Sequence, residues 1–291
     1  KKERYNAVRT TQAASGSKIT VSKLCQRAGM SRQNYYKTRK KRAGQAIDAV
    51  LIRRFVLGER ASQPRLGGRK LLKILGPKLK RCGVAIGRDR FFKVLKNQGL
   101  LVEKLRSSPR TTNSYHNLPV FLNRIKGKKL TGSNQVWAAD ITYLRKKDRF
   151  MYLSLITDMY SRKIVGYHLG DSLDTAESLK ALKMALKGKP QESQLIHHSD
   201  RGCQYCSHDY VRALEQSGLA VSMTEQNHCS ENALAERVNG ILKQEYGLGY
   251  SFKNAMQMRH AVNQAIWLYN TRRPHCSFGL ETPEYVHRMA A

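Results

Sequence analysis

The run Val136-Trp137-Ala138-Ala139-Asp140-Ile141-Thr142 places one carboxylate inside an apolar, strand-forming stretch. A carboxylate there is costly unless it is paired or metal-bound. Turned outward by period-2 alternation, the same Asp140 would simply be a solvated side chain. The neighbouring pattern is also that of strands. Gln135–Leu144, Arg149–Thr157 and Lys163–Leu169 are β-branched and aromatic runs separated by short turns, which predicts a three-stranded antiparallel meander. Thr175–Lys187 reads as an amphipathic helix and Gln194–Ser199 as a short apolar strand. Ser207–Ser217 reads as a helix closed by Gly218, a fitting C-cap. Ala220–Thr224 is a fifth strand and Asn232–Tyr246 a further helix. The order βββαβαβα predicts an α/β unit, a mixed five-stranded sheet flanked by helices. Residues 255–270 form a last long helix before a Pro-containing tail.

Two more carboxylates stand at informative places. Asp200, in Ile196-His197-His198-Ser199-Asp200-Arg201-Gly202, ends an apolar strand and begins a Gly-containing turn; turn capping is its ordinary alternative. Glu236, with 35 residues between it and Asp200, shares a helix face with Asn239, Gly240 and Lys243. A solvated helix glutamate is the alternative there. Three carboxylates gathered at one end of a sheet would repel and shift one another's pKa unless cations were bound. Such a set can cage a divalent metal with hard oxygen ligands. Two such metals can clamp the attacking and leaving oxygens of a phosphodiester during in-line displacement. Lys243, two turns beyond Glu236, is placed to hold a phosphate, although most lysines of this kind are surface residues. Cys203-x-x-Cys206 with His208, His197 and His198 suggests zinc, but no second ligand pair stands at a familiar spacing. Cys229 and His228 could join such a set only through the fold, so zinc is not expected.

The charge is lopsided. The 291 residues carry 53 Lys/Arg against 21 Asp/Glu, a net +32. Residues 1–110 hold 30 of the basic and 5 of the acidic residues. That asymmetry predicts a polyanion-binding front half, with nucleic acid as the leading polyanion. Residues 19–42 read as a helix-turn-helix: Val21, Leu24, Cys25 and Ala28 form the apolar stripe, Gly29-Met30 the turn, and Ser31 the N-cap of a second helix, Arg32 to Lys40. Arg32, Gln33, Asn34, Tyr36 and Lys37 would face base edges and phosphates. The basic run Arg39-Lys40-Lys41-Arg42 favours DNA over an ordinary helical hairpin. A second helical module follows, with helices Ala46–Leu57, Lys70–Leu79 (interrupted near Gly76-Pro77) and Arg88–Gln98. In it Arg88, Arg90, Lys93 and Lys96 are available to phosphates.

The expected organisation is 1–44 helix-turn-helix, 45–102 second helical DNA-binding module, 103–132 basic linker, 133–250 catalytic core, and 251–291 C-terminal helix and tail. The longest strongly apolar stretch, Phe150 to Thr157, is too short for a membrane span. No secretory signal core is visible. Six scattered cysteines suggest reduced thiols. A cytoplasmic, nucleoid-associated setting without membrane contact is expected.

His198-Ser199-Asp200-Arg201-Gly202 with Gln204-Tyr205, and Glu231-Asn232-Ala233 leading into Glu236, resemble the insertion-sequence transposases of the OrfB type. So do Trp137 with Asp140-Ile141-Thr142-Tyr143-Leu144, Asp158 with Tyr160-Ser161-Arg162, and Tyr269-Asn270 followed by Arg273-Pro274-His275 and Thr282-Pro283. That family has a retroviral-integrase-like catalytic core with a ribonuclease-H-like fold. The resemblance implies a catalytic triad of Asp140, Asp200 and Glu236, with Lys243 as the basic residue after the glutamate. It implies two Mg2+ ions per site, with Mn2+ as a possible substitute. It implies double-stranded DNA as partner, both terminal repeats and target, and a pathway through a circular intermediate. A homo-oligomer on DNA and a possible companion-frame protein follow from it too. Glu231 stands where many relatives have Asp; either carboxylate suits a helix start. Asp158 is expected to cap a turn rather than bind metal. Two rival readings are kept: a DNA-binding regulator lacking cleavage, which a metal-dependent cleavage assay would reveal, and a non-specific nuclease on the same fold, which footprinting on terminal repeats would reveal.

Overall fold

The computed structural model describes residues 2–16, 18–103, 118–147, 149–190, 194–225 and 232–290. The chain forms two compact units, one of Lys1–Gly58 with Leu75–Leu100, the other of Glu59–Ile74 with Leu101–Ala291. Five helices come first: α1 (Lys2–Ala14), α2 (Val21–Arg27), α3 (Arg32–Arg60), α4 (Gly68–Arg81) and α5 (Arg88–Asn97).

In the first unit, Tyr5 and Val8 of α1 pack with Leu24, Cys25 and Tyr35. Gly29 takes a left-handed φ of 63° in the turn, which costs glycine little. Ser31 Oγ accepts the Asn34 N–H at 3.2 Å, the expected N-cap. Two expectations need correction. Arg32–Lys40 and Ala46–Leu57 are one helix of 29 residues, and residue 44 lies inside it. Only Gly44 weakens the join, at about 1 kcal/mol relative to alanine, and good helix formers flank it. Gly76-Pro77 does not interrupt α4 either. Pro77 costs a helix about 3 kcal/mol, but Leu71, Leu75 and Leu79, spaced one turn apart, are all fully buried.

The second unit is built on a five-stranded sheet. Its elements are β1 (Val136–Lys146), β2 (Arg149–Asp158), β3 (Ile164–Gly170), α6 (Thr175–Leu186), β4 (Ile196–Ser199), α7 (Cys203–Cys206), α8 (His208–Gln216), β5 (Ala220–Met223), α9 (Ala233–Glu245), α10 (Ala255–Thr271) and α11 (Pro283–Met289). The strand order is β3-β2-β1-β4-β5. β1–β2 and β2–β3 are antiparallel, the expected meander, whereas β4 pairs parallel with both β1 and β5. Alternation splits the core. Trp137, Ala139 and Ile156 pack with α6, α7 and α8, while Leu144, Leu153 and Leu155 pack with α9 and α10. Asn270 of α10 stitches itself to β3, accepting from the Ile164 N–H and donating to its carbonyl, both at 2.9 Å. Among the described residues no helix is long and apolar enough to cross a membrane.

Candidate active site

Asp140 shares a face of β1 with Leu144 and stands opposite Leu155, so alternation turns it to the α9 side rather than to open solvent. β4 runs parallel beside β1 with Ala139 opposite Ser199. The next residue on each strand is an aspartate, so the register alone brings Asp140 and Asp200 together. α9 is fixed over them by two asparagines. Asn232 Nδ2 donates to the Ala139 carbonyl at 3.1 Å, and Asn239 Nδ2 donates to Asp140 Oδ2 at 2.7 Å. Asp140 Oδ1 accepts the Ile141 N–H at 2.9 Å. Asp200 Oδ1 accepts the Gly202 N–H at 3.0 Å, and a side chain at Gly202 would crowd the same oxygen.

Asp140 feels the charge of both other carboxylates. Burial, then the charge of Asp200, then that of Glu236 push the Asp140 carboxyl up to about 7; hydrogen bonds from Asn239 and Ile141 oppose the rise. Burial also raises Asp200. Glu236, in the first turn of α9, is exposed. Lys243 is half-buried; burial lowers its pKa while the charge of Asp140 pulls it back up. The sequence-predicted residues thus share one electrostatic neighbourhood at the joint of β1, β4 and α9.

Among the described residues no three His, Cys, Asp or Glu side chains stand close enough to ligate one ion. The donor set nevertheless suits a hard divalent cation. It consists of carboxylate oxygens, one pushed to about 7 by burial and a like charge, and beside them Asn239 Oδ1 is buried without a partner. A bound cation would relieve that repulsion.

Other expected residues fall as follows. Asp158 is fully buried and caps the β2–β3 turn, accepting from Ser161 N–H and Oγ and from Asn134 N–H at 2.6 to 2.8 Å. Burial opposes its ionisation, but bonds from His287, Ser161 and Asn134 hold its carboxyl below the usual range. Arg32, Gln33, Asn34, Tyr36 and Lys37 are exposed at the start of α3. Arg88 is exposed and pairs with its neighbour Asp89, whereas Arg90 is held by Asp48 at 2.6 Å. Arg42 of the basic run is structural: it lies 3.9 Å over the Tyr5 ring and donates to Asn6 at 2.7 Å. Cys206 is buried, its thiol pushed up to about 11 by burial, and it donates to Met223 Sδ at 3.6 Å. Glu231, His228, Cys229 and the Ser107–Arg110 part of the expected linker lie outside the described residues. Sequence reasoning missed the clamping role of Asn232 and Asn239. The signal was present, since Asn239 shares a helix face with Glu236 and Asn232 belongs to the motif before it.

An integrase core domain model matches residues 131–229, and a second integrase core domain model matches residues 217–283. An uncharacterized 31 kDa protein of insertion element IS600 from Shigella sonnei is 36% identical over 276 residues, 92% of this chain and 100% of that protein. Transposase InsF for insertion sequence IS3A of Escherichia coli (strain K12) is 35% identical over 192 residues, 65% of this chain and 67% of that protein. Among solved structures, the HTLV-2 integrase catalytic core domain in complex with magnesium is 21% identical with a TM-score of 0.43, covering 58% of this chain and 99% of that one.

Proposed function

The chain belongs to the insertion-sequence transposases that carry an integrase core, and from that premise we propose how its site cuts and joins DNA. Asp140, Asp200 and Glu236 form the catalytic set, and Lys243 holds a phosphate beside them. The observation that carries this reading is the parallel register of β1 with β4, which sets Asp140 beside Asp200, with Asn239 of α9, the helix that carries Glu236 and Lys243, bonded to Asp140.

Asp140, Asp200 and Glu236 would hold two Mg2+ ions, or Mn2+ in their place, which when bound polarise the scissile phosphate and lower the pKa of the attacking hydroxyl. The chain's own groups supply the rest. Asn239 orients Asp140, the Gly202 N–H orients Asp200, and Lys243 offsets charge on the phosphate oxygens. Two displacements follow. Water first adds at phosphorus at an element end, and the 3′-oxygen leaves with a proton as a free 3′-hydroxyl. That hydroxyl then adds at phosphorus of another strand, losing its proton while a second 3′-oxygen departs. One P–O bond forms and one breaks in each step.

The exposed start of α3 supplies the DNA grip, with Arg32, Gln33, Asn34, Tyr36 and Lys37 toward the element ends and Arg88 toward a phosphate. Arg90 contributes less, because Asp48 already neutralises it. The protein works as a homo-oligomer bringing two DNA ends together. Nicking of an end-containing duplex tests the site. It should require divalent metal and fall to background in Asp140→Asn, Asp200→Asn and Glu236→Gln, with duplex binding retained. Full activity in any one of the three overturns the triad.

A further inference from the structure

A cavity of about 450 Å³ opens against α9 on the Leu234-to-Ile241 side of the helix. At 3.6 residues per turn, Leu234, Arg237, Val238 and Ile241 share that side, whereas Glu236, Asn239 and Lys243 share another. The cavity is therefore separate from the carboxylate cluster but carried by the same helix. Its walls include Lys70, Arg162, Arg237, Arg273 and His275, with Tyr269 among them.

Three features call for an anionic ligand. The first is charge. Glu245 neutralises part of the cavity, pairing with Lys70 at 3.0 Å and Arg273 at 2.8 Å. Arg162 and Arg237 make no side-chain hydrogen bond or ion pair among the described residues. The second is the backbone of Arg162, a non-glycine residue at φ 66° in the turn that Asp158 caps. Glycine or asparagine would take that conformation at less cost. An arginine held there places a guanidinium at the cavity in spite of the strain, as at other functional sites. The third is Tyr269, fully buried, whose hydroxyl has no hydrogen-bond partner. Burial dominates the surroundings of that hydroxyl, and Arg273, Arg162, the Glu245 carboxylate and Arg237 all act on it. A buried hydroxyl without a partner beside three guanidiniums, of which only Arg273 is paired to Glu245, calls for an acceptor.

We propose that this cavity is a second phosphate-binding subsite, in which Arg162, Arg237 and the Tyr269 hydroxyl hold a DNA backbone phosphate against a wall formed by Arg273 and Lys70. His275 fits that wall as an uncharged acceptor, its Nε2 lying 2.8 Å from the Arg273 guanidinium. The subsite rests on the transposase reading only for the source of the phosphate.

Duplex binding by the full chain, followed by fluorescence anisotropy across a salt series, tests it. Each phosphate contact contributes about 0.9 to the slope of log affinity against log salt. Arg162→Gln with Arg237→Gln should weaken binding several-fold and reduce the slope by about 0.9. Tyr269→Phe should weaken binding with the slope unchanged. Wild-type affinity and slope in a double variant that melts like the wild type would overturn the subsite. Should the double variant not fold, Arg237→Gln alone, at an exposed position, decides by the same reading. Inorganic phosphate provides the second arm. If it raises the Tm of the wild type but not of the variant while the duplex slopes agree, the cavity takes free phosphate and the DNA assignment falls. Cleavage by Asp140→Asn would sink the carboxylate reading and leave the subsite standing.

Discussion

Asp140 shows how a buried carboxylate beside a like charge burdens the fold that holds it. Its carboxyl has an ordinary value of 3.8 and is pushed to about 7 in the folded chain, by burial first and by Asp200 next. The folded state therefore keeps a proton that the unfolded state has already released. The stability linked to this group is fully present below about 4 and is lost as pH rises through about 7. In chelator, the wild-type Tm should fall across that window by more than the Tm of Asp140→Asn, which has no proton to lose there. Parallel pH profiles for the two proteins would refute the assignment. Mg2+ should flatten the wild-type profile, because a cation offsets the charge that burial penalises. Asp140 and Asp200 were legible in the sequence because each interrupts or ends an apolar strand. Their convergence was less so, since it depends on the parallel register of β1 with β4. Asn239 could be placed on the right helix face from spacing, but its bond to Asp140 required the helix to be seated on the strand.

At the scale of elements, packing on the sheet depends on one absent side chain. A Cβ on Gly166 of β3 would stand 2.4 Å from the Ala181 carbonyl and 2.7 Å from the Ala185 Cβ, so α6 can lie on the sheet only over a glycine. Gly166→Ala should destabilise the chain by about 1–3 kcal/mol through overpacking, read as a lower urea midpoint with unchanged slope. A midpoint equal to the wild type would mean that α6 shifts at no cost. The neighbouring elements were readable to within a residue or two, because strand alternation and helical stripes are local signals. The first helices were less so. The module boundary expected at residue 44 and the interruption expected at Gly76-Pro77 lost to continuous helical propensity and to the buried leucines of α4. The helix α1 went unread because its buried face is only Tyr5 and Val8 among polar residues.

For the whole molecule, the second compact unit reaches back into the basic front half of the chain. Residues 59–74 belong to it although basic modules flank them in sequence. Glu59, almost fully buried, takes both guanidinium donors of Arg272 at 2.9 and 2.8 Å. Gln63 donates to Glu59 at 2.9 Å and accepts the Tyr246 hydroxyl at 3.0 Å. Lys70 joins Arg273 on Glu245. No local pattern announces the bonds of Glu59, Gln63 and Lys70 to Arg272, Tyr246 and Glu245, which join residues 175 to 213 apart. A fragment starting at residue 103 would leave the Tyr246 hydroxyl and Arg272 without their acceptors and Glu245 with Arg273 alone. A fully buried polar group left unpaired costs about 1–3 kcal/mol, and a part-exposed one such as Arg272 less. Fragment 103–291 should therefore unfold at a lower urea concentration than fragment 59–291, or fail to remain soluble. Equal midpoints would show that the 59–74 segment lies against the rest of its unit without supporting it.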